Sequence, residues 1–226
     1  MKNWLYIGVL LFIGTTAIAQ KANTKTFEKF TELKVYDRII VSLVKSNENK
    51  LVITGDDKDE VNISNKNGLL KIKMSFDNFM DGDEAKGTLY YTEDLTLLDV
   101  NENAKITSEE TFKGSKVDIK GQEGGLIDLK VALDEVYVRA VSGSEVTLSG
   151  SSTKQEVSVN TGGKAYCKDL NTTNTEVVVM AGGRADVKAT EEVIAKVKAG
   201  GSIYIYGKPK NIKKDKVFGG KIAEMN

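Results

Sequence analysis

Several residue types are scarce in this chain of 226 residues, which has no histidine, one cysteine and one proline. Without histidine it cannot form Ser-His or Cys-His catalytic pairs, and it lacks a common ligand of metal ions. Cys167 has no partner for an internal disulfide, so we expect a small buried apolar side chain. No glycine pair is followed by Lys-Ser or Lys-Thr, so no phosphate loop is predicted. No cofactor is expected.

The charges balance, with 32 basic and 32 acidic residues. The two signs are interspersed and form no basic stripe, so nucleic acid is not an expected partner.

The first 19 residues have the layout of a secretory signal. Lys2 precedes an apolar stretch from Leu5 to Ile13, and Ala17-Ile18-Ala19 forms a small-x-small site before Gln20. A membrane anchor is the alternative, but the uncharged run is short for a span of about 20 residues. We therefore predict a signal peptide over 1–19 and export to the periplasm, the outer surface or the medium. No membrane span is expected after its removal.

A glycine pair recurs along the second half of the chain, with Gly143-Ser144 filling one gap. The pairs are Gly124-Gly125, Gly162-Gly163, Gly182-Gly183, Gly200-Gly201 and Gly219-Gly220. Their first residues are separated by steps of 19, 19, 20, 18 and 19. A constant period of this length is typical of a solenoid, in which small units must stack to bury their apolar faces.

Aliphatic residues alternate with polar ones on both sides of each pair. Three and five positions after the first glycine stand, for example, Val146 and Leu148, and five and three positions before it stand Val138 and Ala140. This period of two predicts two short strands per repeat, and the β-branched residues disfavour helices. An antiparallel sandwich also has short strands, but its hairpins would not keep a glycine pair at every second connection.

The pattern therefore predicts an all-β, single-domain parallel β-helix over 20–226, with about 19 residues per coil and glycine-pair corners. Pieces of alternation between Phe27 and Met74 are either first coils of the same solenoid or a β cap on its open end. The acidic and glycine-containing segment 76–88 is predicted to be an inserted loop.

Several phrases of the chain resemble the putative auto-transporter adhesin, head GIN domain family of exported bacterial proteins. They are Phe27-Glu28-Lys29-Phe30, Leu33-Lys34-Val35, Ile40-Val41-Ser42-Leu43-Val44, Leu51-Val52-Ile53-Thr54-Gly55-Asp56 and Asn67-Gly68-Leu69-Leu70-Lys71-Ile72, followed by the glycine repeats. The resemblance implies a right-handed parallel β-helix at the cell envelope or outside it, with adhesion as its role and no catalytic residues to carry over. No barrel-forming translocator follows, so we do not expect the chain to be an autotransporter itself.

One outward column suggests a binding surface. The candidate patch consists of Tyr166, Tyr204, Tyr206, Lys164, Arg184 and Asp186. Tyrosine offers apolar area with a hydroxyl, which suits recognition surfaces and stacking on sugar rings. The alternative is that these side chains only cover the sheet. The patch favours a non-catalytic binding or adhesion module, with a carbohydrate or an extracellular or envelope protein as its partner.

Two other functions remain open at this point. A structural envelope protein would assemble through the terminal coil around Val217 to Met225, whose edge is bare. A polysaccharide-cleaving enzyme would use Asp128 and Glu145, expected about 8 Å apart on one face. Lys164 and Lys105 near Glu145 favour its charged form and thus a solvated role.

Calcium sites are not expected. The glycine repeats lack the spacing of calcium-binding β-rolls, because Ala185 and Val187 stand where glycine and aspartate are required. The acidic stretches at 56–60 and 81–84 could hold calcium through carboxylate oxygens, but they do not have the EF-hand spacing and are interpreted as ordinary polar loops.

Overall fold

The computed structural model describes residues 22–75 and 85–225. The predicted signal peptide and residues 76–84 of the predicted loop lie outside this range. The described part consists of strands and connections, with no helix. The strands are β1 Asn23–Thr26, β2 Glu32–Val35, β3 Ile40–Lys45, β4 Lys50–Thr54, β5 Val61–Lys66, β6 Leu69–Met74, β7 Lys86–Tyr91, β8 Leu97–Val100, β9 Lys105–Thr107, β10 Phe112–Gly121, β11 Leu126–Ala140, β12 Glu145–Val159, β13 Lys164–Val179, β14 Arg184–Ala199, β15 Ser202–Tyr206, β16 Asn211–Phe218 and β17 Lys221–Glu224.

Residues about 19 positions apart lie side by side in a parallel ladder, as the glycine period predicts. Val138 pairs with Val157, which pairs in turn with Val177. The side chains that point into the solenoid, such as Val146, Leu148 and their equivalents in the other coils, are buried. Burial of one face of each strand against the opposite strand drives the stacking. The molecule is thus a β-solenoid of about 7 turns.

Two outer surfaces follow from this stacking. The approach face is the outer surface of the parallel ladder β6, β2, β8, β10, β11, β12, β13, β14 and β16, whose strands from β10 onward lead into the glycine turns. The departure face is the outer surface of the parallel ladder β7, β3, β9, β11, β12, β13, β14, β15 and β17, whose strands from β11 onward leave the glycine turns.

The glycine corner is a tight turn with two consecutive residues of positive φ. In one such turn Ser142 has φ 50° and Gly143 φ 74°, and the amide of Ser144 donates to the carbonyl of Val141 at 3.1 Å. Positive φ at both central residues defines a type I′ turn, and glycine adopts it without the strain of a Cβ. Stacked turns are also linked, because the amide of Gly143 donates to the carbonyl of Thr161 at 3.2 Å.

The second glycine of a pair is required for a different reason, namely space. A Cβ at Gly163 would lie 2.3 Å from the carbonyl oxygen of Ala140, and one at Gly183 would lie 2.3 Å from Cγ1 of Val159. Ala140 and Val159 each stand three positions before the turn glycine of the preceding coil. Side chains at the second turn position and at this inward position would therefore occupy the same space, and both cannot be accommodated.

The exceptions in these two columns explain each other. Gly121 occupies the inward position where other coils have valine or alanine, and Ser144 occupies the second turn position of the next coil. The Ser144 hydroxyl fills the space above Gly121, donating to its carbonyl at 2.7 Å and accepting from the amide of Val141 at 3.0 Å. The serine is fully buried and replaces the missing side chain.

The opposite corner differs from the sequence prediction of two short strands per repeat. β12 and β13 run without interruption through the polar stretches at 150–154 and 171–174, because the parallel ladder continues around the bend. Gly150 has φ 102°, and a Cβ there would lie 2.1 Å from the carbonyl oxygen of Val131. Leu133 and Leu170 are buried at this corner and face inward.

The N-terminal region mixes coils with antiparallel strands. β2 and β3 form a coil that lies between β6–β7 on one side and β8–β9 on the other. β4 pairs antiparallel with β1 and β7, and β5 pairs antiparallel with β6. The chain order and the stacking order therefore differ here, and residues 86–88 of the predicted loop lie in β7.

The C-terminal coil changes the chemistry of the inward columns. Lys214 and Lys216 pair in register with the buried Ala195 and Val197 of β14. Glu224 of β17 occupies the next position in the column of Ile205, and Lys214 Nζ lies 2.5 Å from Glu224 Oε1. An ion pair thus spans the end of the apolar core. Inward charges on an edge strand are a known means of preventing further strand pairing.

Candidate functional site

The predicted patch lies on the departure face near the C-terminal end. Tyr166, Asp186 and Tyr204 occupy consecutive rungs of one outward column. Lys164 and Arg184 occupy consecutive rungs of the neighbouring column, two residues earlier in each strand. The structure therefore brings five of the six predicted residues together, because the 18–20 residue period superimposes their columns.

Arg184 and Asp186 form the centre of this patch. The guanidinium donates from Nε and Nη2 to the two carboxylate oxygens, both at 2.9 Å. The hydrogen bonds to Asp186 raise the pKa of Arg184 above its already high ordinary value, so this group stays charged. Asp186 is buried and its charge is balanced by this pair.

Two tyrosine rings flank the guanidinium. Its central carbon lies 4.7 Å from the ring centre of Tyr204 and 5.6 Å from that of Tyr166. Lys221, on the next coil, also contacts Tyr204, and its Nζ lies 5.2 Å from the ring centre. Cation–π contacts at exposed sites contribute about 0.5–1 kcal/mol each. The result is a half-exposed surface of aromatic and charged groups in contact with one another.

The remaining members of the patch have other neighbours. Lys164 Nζ lies 3.6 Å from Glu145 Oε2 on the preceding coil. Tyr206 lies two residues beyond Tyr204, in register with Lys188, and faces a separate pocket. The patch is thus five residues with Tyr206 at its margin.

The two carboxylates proposed for catalysis lie on the same face, as expected. Glu145 pairs in register with Leu126, and Asp128 pairs with Thr147, so the carboxylates are one coil and two residues apart. Glu145 Oε2 lies 3.6 Å from Lys164 Nζ, and both side chains are more than one third exposed, so the arrangement is a solvated ion pair.

Sequence reasoning missed a shallow groove on the approach face. Its volume is about 270 Å³, and its lining includes Asp118, Tyr137, Arg139, Glu156 and Ser158. Lys116 Nζ lies 4.4 Å from the Tyr137 ring centre and the Tyr137 hydroxyl donates to Glu135 at 2.9 Å, so this ring is already covered. The outward columns before each glycine turn carried the signal that could have located the groove.

A carboxyl pair at two stacked turns was also missed. Asp37 and Glu102 are the first positive-φ residues of turns that lack glycine, and the Arg38 amide donates to the Glu102 carbonyl at 2.9 Å. A hydrogen bond with Asp37, followed by burial and the negative charge of Asp37, raises the pKa of Glu102 to about 7. Glu102 therefore takes up a proton more readily than an ordinary carboxyl group.

Asp99 is another acidic side chain that the sequence did not single out. It is 2 % exposed and accepts from Asn101 at 3.0 Å and from Gln122 at 3.2 Å. Lys34 Nζ lies 3.0 Å from its second oxygen, and this contact raises the pKa of Lys34. Asp99 is thus fully bonded, and its role is to join the first coils.

Cys167 lies in the core between Leu148 and Val187, as the repeat columns predict. Burial raises the pKa of its thiol to about 12, which disfavours the reactive thiolate. Within 22–75 and 85–225, no cluster of three or more acidic, histidine or cysteine side chains could hold a metal ion. In the same residues no helix has the length and apolar character that crossing a bilayer requires.

The chain belongs to the putative auto-transporter adhesin, head GIN domain family, whose model matches residues 29–209. No curated protein shows significant similarity to it.

Solved structures of bacterial proteins share the fold. A putative adhesin from Bacteroides fragilis is 19% identical with a TM-score of 0.79, covering 92% of this chain and 98% of its own. A putative adhesin from Parabacteroides distasonis is 16% identical with a TM-score of 0.73, covering 91% and 96%. A putative lipid binding protein from Parabacteroides distasonis is 16% identical with a TM-score of 0.70, covering 91% and 96%. At these identities the likeness concerns the fold.

Proposed function

We propose that this protein is an exported, non-catalytic adhesion module that binds a carbohydrate or an envelope or extracellular protein through its departure face. The observation that carries the proposal is the Arg184–Asp186 pair held between Tyr166 and Tyr204. Tyrosine and arginine dominate binding energy at recognition surfaces, and fixed side chains lose little entropy on binding.

Membership of an adhesin family supports binding as the function. The signal-like segment before Gln20 supports export, to the periplasm, the outer surface or the medium. The ion pairing of Glu145 supports a role without catalysis.

The terminal coil weighs against the alternative of a structural protein that grows by end-to-end stacking. Lys214, Lys216 and Glu224 occupy positions where a further coil would require apolar side chains. Burying these charges under a second molecule would be costly, since each would lose its hydration. Binding through a side face leaves them in water.

The test is a glycan and matrix-protein array probed with the chain from Gln20 onward. We expect a ligand whose binding falls at least about tenfold in Tyr166→Ala/Tyr204→Ala, because truncating central aromatic contacts costs about 2 kcal/mol or more. The matched control is Tyr137→Ala, which removes an equivalent ring, also contacted by lysine, from the approach face. Unchanged binding by the double variant, or equal loss in the control, would refute the assignment of this face.

A further inference from the structure

A second candidate site lies beside the patch, at the far end of the departure face. It is a pocket of about 500 Å³ lined by Lys168, Asp169, Lys188, Tyr206, Gly207, Lys208 and Met225. Its volume lies within the range of about 300–1,000 Å³ that is usual for small-ligand sites. The lining carries three lysines against one aspartate, so the pocket is positively charged.

Strands β13, β14 and β15 bring Lys168, Lys188 and Tyr206 to this pocket. Lys168 and Lys188 each follow two residues after the paired Tyr166 and Asp186, at the point where the regular register between β13 and β14 ends, and it resumes only at Thr172 and Ala189. Lys188 pairs with Tyr206 on the next rung. Lys168 and Lys188 line the same pocket as Lys208, so three like charges are gathered there.

An irregularity in β13 opens the pocket. The register between β12 and β13 shifts by one residue after Thr147, and Lys168 and Asp169 are consecutively exposed. A bulge of this kind turns an additional side chain outward and interrupts the regular surface. Farther along, Gly207 has φ 89°, and a Cβ there would lie 2.5 Å from the carbonyl oxygen of Ala189. Glycine thus lets the chain pass close to β14 and present Lys208.

These lysines lack the acidic partners that other cations nearby have. On the last coils Lys196 pairs with Asp215, Lys210 with Glu191 and Lys213 with Glu192, all within 2.9 Å. Among the residues that the structure describes, no ion pair joins Lys168, Lys188 or Lys208 to an acid. Their charges are available to an external anion.

We propose that this pocket binds an acidic sugar residue of a polysaccharide. Lysine ammonium groups would contact the carboxylate or sulfate groups, while Tyr206 and Met225 would provide apolar surface for the ring. Because Lys168, Lys188 and Lys208 line one pocket, more than one ammonium group can contact the acidic groups of the bound sugar.

The lining of the site favours a sugar over membrane insertion. Four of its seven residues are charged, whereas peripheral membrane binding by insertion uses protruding apolar groups. Phe218, which is 76 % exposed, does not line the pocket. This inference rests on the proposed binding function and deepens it by naming the ligand's chemistry.

The experiment is a titration of the chain from Gln20 onward with a tetrasaccharide of galacturonic acid, a neutral tetrasaccharide of galactose, inorganic sulfate and phosphatidylglycerol vesicles. Binding is followed by calorimetry and by NMR. We expect the acidic tetrasaccharide to bind, with affinity that falls as salt rises, because exposed charges are screened over about 8 Å at physiological ionic strength. The neutral tetrasaccharide should bind at least about tenfold more weakly.

The test variant carries Lys168→Gln, Lys188→Gln and Lys208→Gln. It should lose at least about tenfold in affinity for the acidic tetrasaccharide, whereas replacement of the same residues by arginine should retain binding. The control variant, Lys66→Gln/Lys71→Gln/Lys113→Gln, has the same net charge and alters exposed strand lysines elsewhere. It should differ by less than about twofold, since distant exposed charges are screened.

Several results would overturn the inference. They are equal binding of the neutral and acidic tetrasaccharides, unchanged affinity in the test variant, lysine-dependent binding of vesicles alone, and binding of sulfate without the tetrasaccharide.

Failure of the pocket assignment can be distinguished from failure of the proposed function. If array ligands depend on Tyr166 and Tyr204 while the acidic tetrasaccharide does not bind, only the pocket assignment fails. If the tetrasaccharide binds to the pocket and Tyr166→Ala/Tyr204→Ala leaves the binding of the array ligands unchanged, the assignment of the patch fails instead.

Discussion

Gly121 and Ser144 provide a direct test of how the coils fit together. In neighbouring coils a valine or alanine stands at the inward position and a glycine at the second turn position above it. We predict that Gly121→Val and Ser144→Gly will each destabilise the fold and that the double variant will recover most of the loss, because it restores the arrangement of the neighbouring coils.

The magnitudes follow from the contacts. Ser144→Gly removes two hydrogen bonds, at 2.7 and 3.0 Å, and adds a flexible residue, which together cost about 2 kcal/mol. In Gly121→Val the new Cβ would lie 2.9 Å from the Ser144 hydroxyl oxygen, and overpacking of this kind costs about 1–3 kcal/mol. The double variant removes the clash and fills the space, so it should lie within about 1 kcal/mol of the parent. The coupling energy is then at least about 2 kcal/mol.

The assay is reversible urea unfolding followed by circular dichroism, with midpoints compared at equal slope. The control cycle pairs Gly121→Val with Ser115→Gly, an exposed serine whose hydroxyl donates to Asp134 rather than to the turn. The control cycle should be additive. If Gly121→Val and Ser144→Gly are also additive, the two positions do not share one space and the reasoning is wrong.

Three further predictions concern other parts of the fold. In thermal unfolding, Gly163→Ala should lower the stability several-fold more than Gly162→Ala. The new Cβ at position 163 would lie 2.3 Å from a backbone oxygen, whereas a Cβ at position 162 has no atom within 4 Å and costs only about 1–2 kcal/mol of left-handed backbone strain. Equal losses of stability in the two variants would contradict this. Replacing Lys214 and Glu224 together by valine should produce concentration-dependent self-association in sedimentation velocity, because the charged end of the core becomes apolar; a variant that stays as dispersed as the parent would count against the cap. The raised pKa of Glu102 means that the folded state binds the proton more tightly, so its contribution to stability is complete below about pH 4.5 and is lost as pH rises to about 7. Glu102→Gln should remove that part of the pH dependence in urea titrations, and an unchanged slope would refute it.

Much of the fold could be predicted from spacing alone. The glycine period and the alternation around it identify the solenoid and the inward columns, because a parallel ladder repeats the same environment at every rung. The region before Glu123 lacks the regular glycine pairs that mark the turns of the later coils. Its turns at 36–39 and 101–104 have the same two positive φ angles without glycine, so the repeat is present in the backbone and hidden in the sequence. The stacking of β2–β3 between later coils depends on contacts 65 residues apart in the chain, from Glu32 to Leu97.

The candidate site divides in the same way. Periodicity placed Tyr166, Asp186 and Tyr204 in one column, but the pairing of Arg184 with Asp186 depends on side-chain conformations that sequence spacing does not specify. The pocket around Lys168 was missed because a bulge breaks the period there.

The sequence by itself determined the repeat, the dry columns and the absence of histidine chemistry, since these follow from residue type and local backbone preference. The tertiary structure decided which side chains share a space, which charges find partners and which remain open. Those outcomes depend on distances across coils, and residues far apart in the chain set them jointly.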